Sequence, residues 1–95
     1  MDDLDPWQDM ARRIGLRVRD LRHRRGLSQA GLCLRIAKLG AGWPKVDRTN
    51  LSHLERGASD RGVATIRTLV AVARGLSVPL GTLLVGVDDH IKGRA

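Results

Sequence analysis

The sequence has no phenylalanine and no tyrosine, and its only aromatic side chains are Trp7 and Trp43. A core without large rings has to be assembled from Leu, Val, Ile and Ala, a vocabulary that suits packed helices better than pleated sheets. The single cysteine, Cys33, excludes an internal disulfide and has no second cysteine with which to share a structural metal. No apolar run approaches the roughly 20 residues that cross a bilayer, and the opening Met1-Asp2-Asp3-Leu4-Asp5 is acidic where a secretory leader is basic. These absences predict a cytoplasmic chain without a membrane partner. Internal repeats and low-complexity tracts are also missing. At 95 residues the chain holds one domain with a modest core and little room for a deep catalytic cleft. Ser52 and His53 are adjacent, with no glycine-rich oxyanion turn and no buried acid to orient the imidazole. The expectation is a protein that is not an enzyme and uses no cofactor or metal.

What the chain has in excess is positive charge. The formal charge is +7, and four of the ten acids, Asp2, Asp3, Asp5 and Asp9, sit in the first ten residues. Residues 11 to 95 therefore hold all 17 Lys and Arg against six acids. Fourteen of the 17 are Arg, whose planar fork fits phosphates and guanine edges. A polyanionic partner is the natural inference, nucleic acid first and an anionic membrane surface second. The membrane surface is the weaker of the two, because the first basic helix lacks a broad, bulky apolar face. A merely solvated, arginine-rich surface has the same composition, so the placement of the cations has to decide.

Residues 1–8 read as an acidic, flexible arm or helix lead-in, 9–87 as the folded domain and 88–95 as a tail. Helical periodicity starts near Asp9, with Met10, Ile14, Val18 and Leu21 on one stripe and Gly26 as the stop. Ser28 is placed to cap a second helix from Gln29 that turns Leu32, Cys33, Ile36 and Ala37 inward, before Gly40, Gly42 and Pro44 break it. Asp47 caps a third helix running to Arg56, with Gly57 as its stop. A fourth, from about Ala64 to Arg74, is expected to bury Ile66, Leu69, Val70 and Ala73 and to close at Gly75. Pro79 opens a short fifth helix through Leu83 and Leu84 that Gly86 ends. The fold class is all-α, a compact five-helix bundle.

The third helix separates by chemistry. At about 100° per residue, Arg48, Thr49, Ser52, His53 and Arg56 share an arc of about 140°, and Leu51 and Leu54 lie opposite. A helix that enters a major groove needs that division, one hydrophilic face to read the groove and one apolar face to hold it on the domain.

Ile14-Gly15, Leu21-Arg22, Gly26-Leu27-Ser28-Gln29 with Leu32, Leu51 through Gly57, and the run Thr65–Leu84 with Leu69, Ala73, Leu76 and Leu83-Leu84 occur in this order. With these markers, over about residues 13 to 86, the chain resembles the XRE family of lambda-repressor-like helix-turn-helix proteins. The resemblance implies double-stranded DNA as partner, with the helix from Gln29 lying across the backbone and the helix from Arg48 in the groove. It implies Arg48, Thr49 and His53 as base contacts with Ser52 close behind, and it pairs Arg22 with Glu55. The sequence gives that pair independent weight. Glu55 is the only glutamate and falls on the border between the apolar and hydrophilic arcs, where a carboxylate needs a partner.

Gln29 and Arg56 are the first candidates for phosphate contacts, Gln29 because its side chain and the N–H groups of a helix start can face one anion. Lys45 and Arg61 come next, and Arg12, Arg13, Arg24 and Arg25 would add sequence-independent attraction. The spacing from Gln29 to Glu55 is longer than the family's usual one, which marks the segment around 38–45 as an insertion in the turn between helices two and three. Trp43 in that insertion has three readings: a cap on the core, a dimer contact, or a DNA-backbone contact beside Lys45. Leu80, Leu84, Val85, Val87 and Ile91 suggest a homodimer surface, matching a partly palindromic site with half-sites about one helical turn apart. The expected function is transcriptional regulation, by a repressor or controller without an inducer-sensing domain. The alternative is an antitoxin or transcription coactivator whose main task is to bind a protein partner.

Overall fold

A computed structural model of the chain describes residues 6–57 and 65–88, and among them there are five α-helices and no strand. Helix α1 (Pro6–Arg24) begins at its proline, a residue suited to a first turn because that position has no N–H to satisfy inside the helix. Pro6, Trp7 and Gln8 thus belong to the helix, three residues before its expected start at Asp9. The arm residues 1–5 and the tail from 89 on lie outside the described residues. Gly26 ends α1 in the left-handed conformation at φ 69°. The N–H of Leu27 returns to the Arg22 carbonyl at 3.0 Å and that of Gly26 to His23 at 2.9 Å, which satisfies two of the carbonyls a helix end leaves open.

Helix α2 (Gln29–Ala37) is capped by Ser28, whose hydroxyl accepts the Gly31 N–H at 2.9 Å. Helix α3 (Arg48–Arg56) is capped by Asp47, whose carboxylate accepts the Asn50 N–H at 2.8 Å, and it stops at Gly57 with φ 65°. Both boundaries follow the sequence reading. On α2 the inward face is narrower than expected: Leu32 and Ile36 are buried and Cys33 is half-buried, whereas Ala37 is exposed.

Helix α4 (Ile66–Gly75) departs further. Thr65 caps it, leaving Ile66 in the first turn 71% exposed instead of buried, and Val70 only half-buried, while Leu69 and Ala73 are in the core. Gly75 does not stop the helix; it is the last residue of it and faces α2. A Cβ there would come within 2.8 Å of Ile36 Cγ1 and 2.9 Å of Leu32 Cδ1. The left-handed position falls instead on Ser77, φ 61°, with the Val78 N–H returning to Ala73 at 2.9 Å. Helix α5 (Leu80–Leu84) follows Pro79 and buries Leu83 completely.

Each helix packs chiefly on two others, and these contacts close a ring: α1 on α3, α3 on α2, α2 on α4, α4 on α5 and α5 back on α1. Inside the ring lie Val18, Leu32, Ile36, Leu51, Val72, Leu76 and Leu83. Burying an aliphatic side chain of this kind is worth about 1.5–3 kcal/mol, and six of these seven come from the five helices with Leu76 just past α4, so no helix keeps its place without the rest. Val87, expected on a dimer surface, is buried in this core, and Leu80 packs half-buried against it. Leu84 and Val85 remain exposed, and Ile91 lies outside the described residues.

Candidate nucleic-acid interface

Helix α3 presents the face its sequence predicts. Arg48, Thr49, His53 and Arg56 are exposed, Ser52 is half-buried at the margin, and Leu51 is fully buried beneath them. Asn50 is also exposed, which widens the hydrophilic face beyond the arc drawn from the sequence. Its backbone N–H is held by the Asp47 cap, and its amide is of the type that pairs bidentately with adenine. Asn50 lies outside the arc drawn from the sequence, although the same helical wheel puts it beside His53.

The third helix is anchored at its border by a buried ion pair. Arg22 Nε donates to Glu55 Oε2 at 2.7 Å and Arg22 Nη2 to Glu55 Oε1 at 2.9 Å, two parallel bonds between residues only 7% and 5% exposed. Arg22 Nη1 donates to the Leu27 carbonyl at 2.9 Å, tying the α1–α2 turn to the same group. Gln29 Nε2 completes the network by donating to Glu55 Oε1 at 3.2 Å. The side chain expected to face a phosphate is thus half-buried and engaged with the ion pair, although Gln29 still stands at the start of α2. Charges taken from water are stable only with good geometry and satisfied lone pairs, and this network supplies both for α1, α2 and α3 together.

Backbone contact fixes α1 against α3 as well. A Cβ on Gly15 would meet the carbonyl oxygens of Leu54 and Glu55 at 2.2 and 2.7 Å, and one on Gly57 would meet Arg12 Cα at 2.5 Å. Glycine is required at Gly15 by proximity, so the two helices lie as near as their main chains permit.

The connection from α2 to α3 is a succession of tight turns. The N–H of Leu39 reaches Ile36 at 3.0 Å, and that of Trp43 reaches Gly40 at 3.4 Å; Gly40 and Gly42 adopt φ 95° and 91°. Val46 is buried, Trp43 is half-buried against the core, and the Arg74 guanidinium lies 5.6 Å from the Trp43 ring centroid, within cation–π range. Of the three readings of Trp43, the core cap matches these contacts. Burial pushes the Cys33 thiol above its ordinary pKa; nearby Asp47 and Glu55 add to the shift, and Arg48 opposes it.

Exposed cations surround α3, and three of the nearby acids are paired with arginines. Asp9 pairs with Arg13, Asp20 with Arg24 and Glu55 with Arg22, while Asp47 caps α3 and keeps its charge. Lys45, Arg12, Arg25 and Arg56 are exposed, and Arg61 lies outside the described residues. Among the described residues no group of three His, Cys, Asp or Glu side chains could hold a metal, and no helix is long and apolar enough to cross a membrane. No family model matches this chain, and it matches no curated protein and no solved structure.

Proposed function

We propose that this protein is a sequence-specific DNA-binding transcriptional regulator of lambda-repressor-like type, without catalytic activity, in which α2 and α3 form a helix-turn-helix. The observation that carries the reading is the hydrophilic face of α3: Arg48, Thr49, Asn50, His53 and Arg56 reach solvent from a helix held by Leu51, Gly15 and the Arg22–Glu55 pair. A major groove admits one such helix, and base edges are read by short polar and guanidinium side chains held on a rigid support. Arg48, Thr49, Ser52 and His53 are assigned to bases, with Asn50 added. Arg56, Lys45 and Arg61 are assigned to phosphates. Gln29 acts first on the ion pair and contributes to phosphate through its place at the α2 start.

One such helix covers only a few base pairs, so the reading includes a homodimer on related half-sites. The exposed Leu16, Leu84 and Val85 beside the shallow groove between α1 and the end of α5 are the surface for it. Selection of bound sequences from a random duplex pool tests the proposal. An enriched motif with two half-sites about 10–10.5 base pairs apart supports it. A pool that emerges unenriched, with binding equal for all sequences, removes the assignment.

A further inference from the structure

The segment between α2 and α3 has more structure than a spacer needs. From Lys38 to Val46 it contains no acid, and Asp47 just beyond it faces α3, which it caps through the Asn50 N–H. Leu39, Trp43 and Val46 point inward as three apolar anchors. The outward residues are Lys38, Gly40, Ala41, Gly42 and Lys45, all exposed. Among the described residues neither lysine has an ion-pair or hydrogen-bond partner through its side chain. Nothing lies within 4 Å of a Cβ built on Gly40 or Gly42, so those glycines serve the positive φ of the turns and leave a low, open outer surface.

A small-residue crest between two lysines lets another main chain approach closely, and the seated Trp43 fixes that crest in place before anything binds. Preorganisation of this kind reduces the ordering cost of association. Arg74 adds a third cation at the edge, held over the Trp43 ring with its side chain exposed. The segment also runs directly into Arg48, so whatever α3 meets at its first turn comes near the crest too.

We infer that the 38–45 segment is a second DNA-contact surface, a preformed clasp on the sugar–phosphate backbone flanking the groove that α3 occupies, with Lys38, Lys45 and Arg74 as its phosphate ligands and Trp43 as its brace. The inference rests on the DNA-binding reading of α3 and adds to it a sequence-independent contact. The clasp raises affinity for every duplex alike and leaves base preference to α3, because phosphates carry no sequence information.

The test uses the full chain and the duplex selected for it, with affinity measured at several salt concentrations. Each lost phosphate contact lowers the slope of log K against log salt by about 0.9. The double variant Lys38→Ala/Lys45→Ala is therefore expected to reduce the slope by about 1.8, and its affinity deficit should shrink about 12-fold between about 50 and about 200 mM salt. The deficit should be equal on the selected duplex and on a scrambled one. Trp43 emission in a Trp7→Phe background, unchanged by the lysine substitutions, verifies that the segment stays seated; Lys38→Gln/Lys45→Gln repeats the test with longer side chains. A slope unchanged in both variants while the wild type binds overturns the clasp, and the Lys45 phosphate contact with it, and leaves base reading by α3 standing. A wild-type protein that binds no duplex removes the DNA reading itself, and the clasp with it.

Discussion

Replacing Glu55 by alanine probes the joint between the scaffold and α3. The substitution leaves the Arg22 guanidinium in a site where the residue is 7% exposed. Arg22 Nε and Nη2 lose their acceptors, and so does Gln29 Nε2, which removes bonds of 2.7, 2.9 and 3.2 Å at once. Only the Nη1 bond to Leu27 remains to the arginine. Breaking a buried pair from one side costs about 3–5 kcal/mol, because an uncompensated charge stays behind. For a domain of this size each kcal/mol moves the melting temperature by about 4–8 °C, so Glu55→Ala should lower Tm by at least about 12 °C. Total stability of a domain this long is about 5–14 kcal/mol, so the loss is a large fraction of it. Circular dichroism at a helix band during heating, with urea titration as a second measure, reads the effect. Arg19→Ala, an exposed substitution on the same scaffold, should stay within about 0.5 kcal/mol. The double change Arg22→Met/Glu55→Leu should recover much of the loss, since removing both charges leaves none stranded. A Glu55→Ala protein that melts within a few degrees of wild type refutes the claim that this pair holds α3 in place.

Three further outcomes follow from the same structure. Gly15→Ala forces a methyl into the Leu54 and Glu55 carbonyls and, as an overpacking change against backbone, should cost about 1–3 kcal/mol or more, read as a lower urea midpoint; an unshifted midpoint contradicts the close approach of α1 to α3. Arg17 donates to the Thr82 carbonyl at 2.7 Å and the Val85 carbonyl at 2.9 Å, so Arg17→Ala should accelerate hydrogen exchange of the α5 amides while exchange in α2 stays as it was. Because burial raises the Cys33 pKa, its thiolate population at mildly alkaline pH is depressed, and alkylation should be slower than for an unstructured peptide thiol until urea unfolds the chain; equal rates before and after unfolding contradict that burial.

The helix boundaries were legible where the signal is local. Ser28 and Asp47 cap α2 and α3 through bonds made within three residues, and Gly26 and Gly57 stop helices by their own conformational freedom. The Arg22–Glu55 pair was implied by the family resemblance, and a lone glutamate on the border of an apolar face gave it independent weight, because such a group has few ways to be satisfied. What escaped depends on which element lies over a given face, and no wheel reports that. Gly75 reads as a stop, yet α2 crosses there and needs its missing Cβ, which passes the left-handed position to Ser77. Ile66 reads as core because it is apolar, yet it stands in the first turn of α4 with 71% of its surface exposed. Val87 reads as surplus until the chain after α5 folds back and consumes it. Within the candidate site, the exposed face of α3 followed from periodicity, whereas the bond from Gln29 to Glu55 arises only because α2 meets α3 in three dimensions.

The central claim is that the solvent-facing side of α3 is where duplex DNA binds, and amide chemical shifts of labelled protein during titration with the selected duplex test it residue by residue. Shifts are expected to concentrate in residues 48–56, extend into 38–45, and leave the Leu80–Leu84 amides nearly unmoved at constant oligomeric state. Shifts gathered elsewhere, with the amides of Arg48, Thr49, Asn50 and His53 silent at saturation, would contradict it.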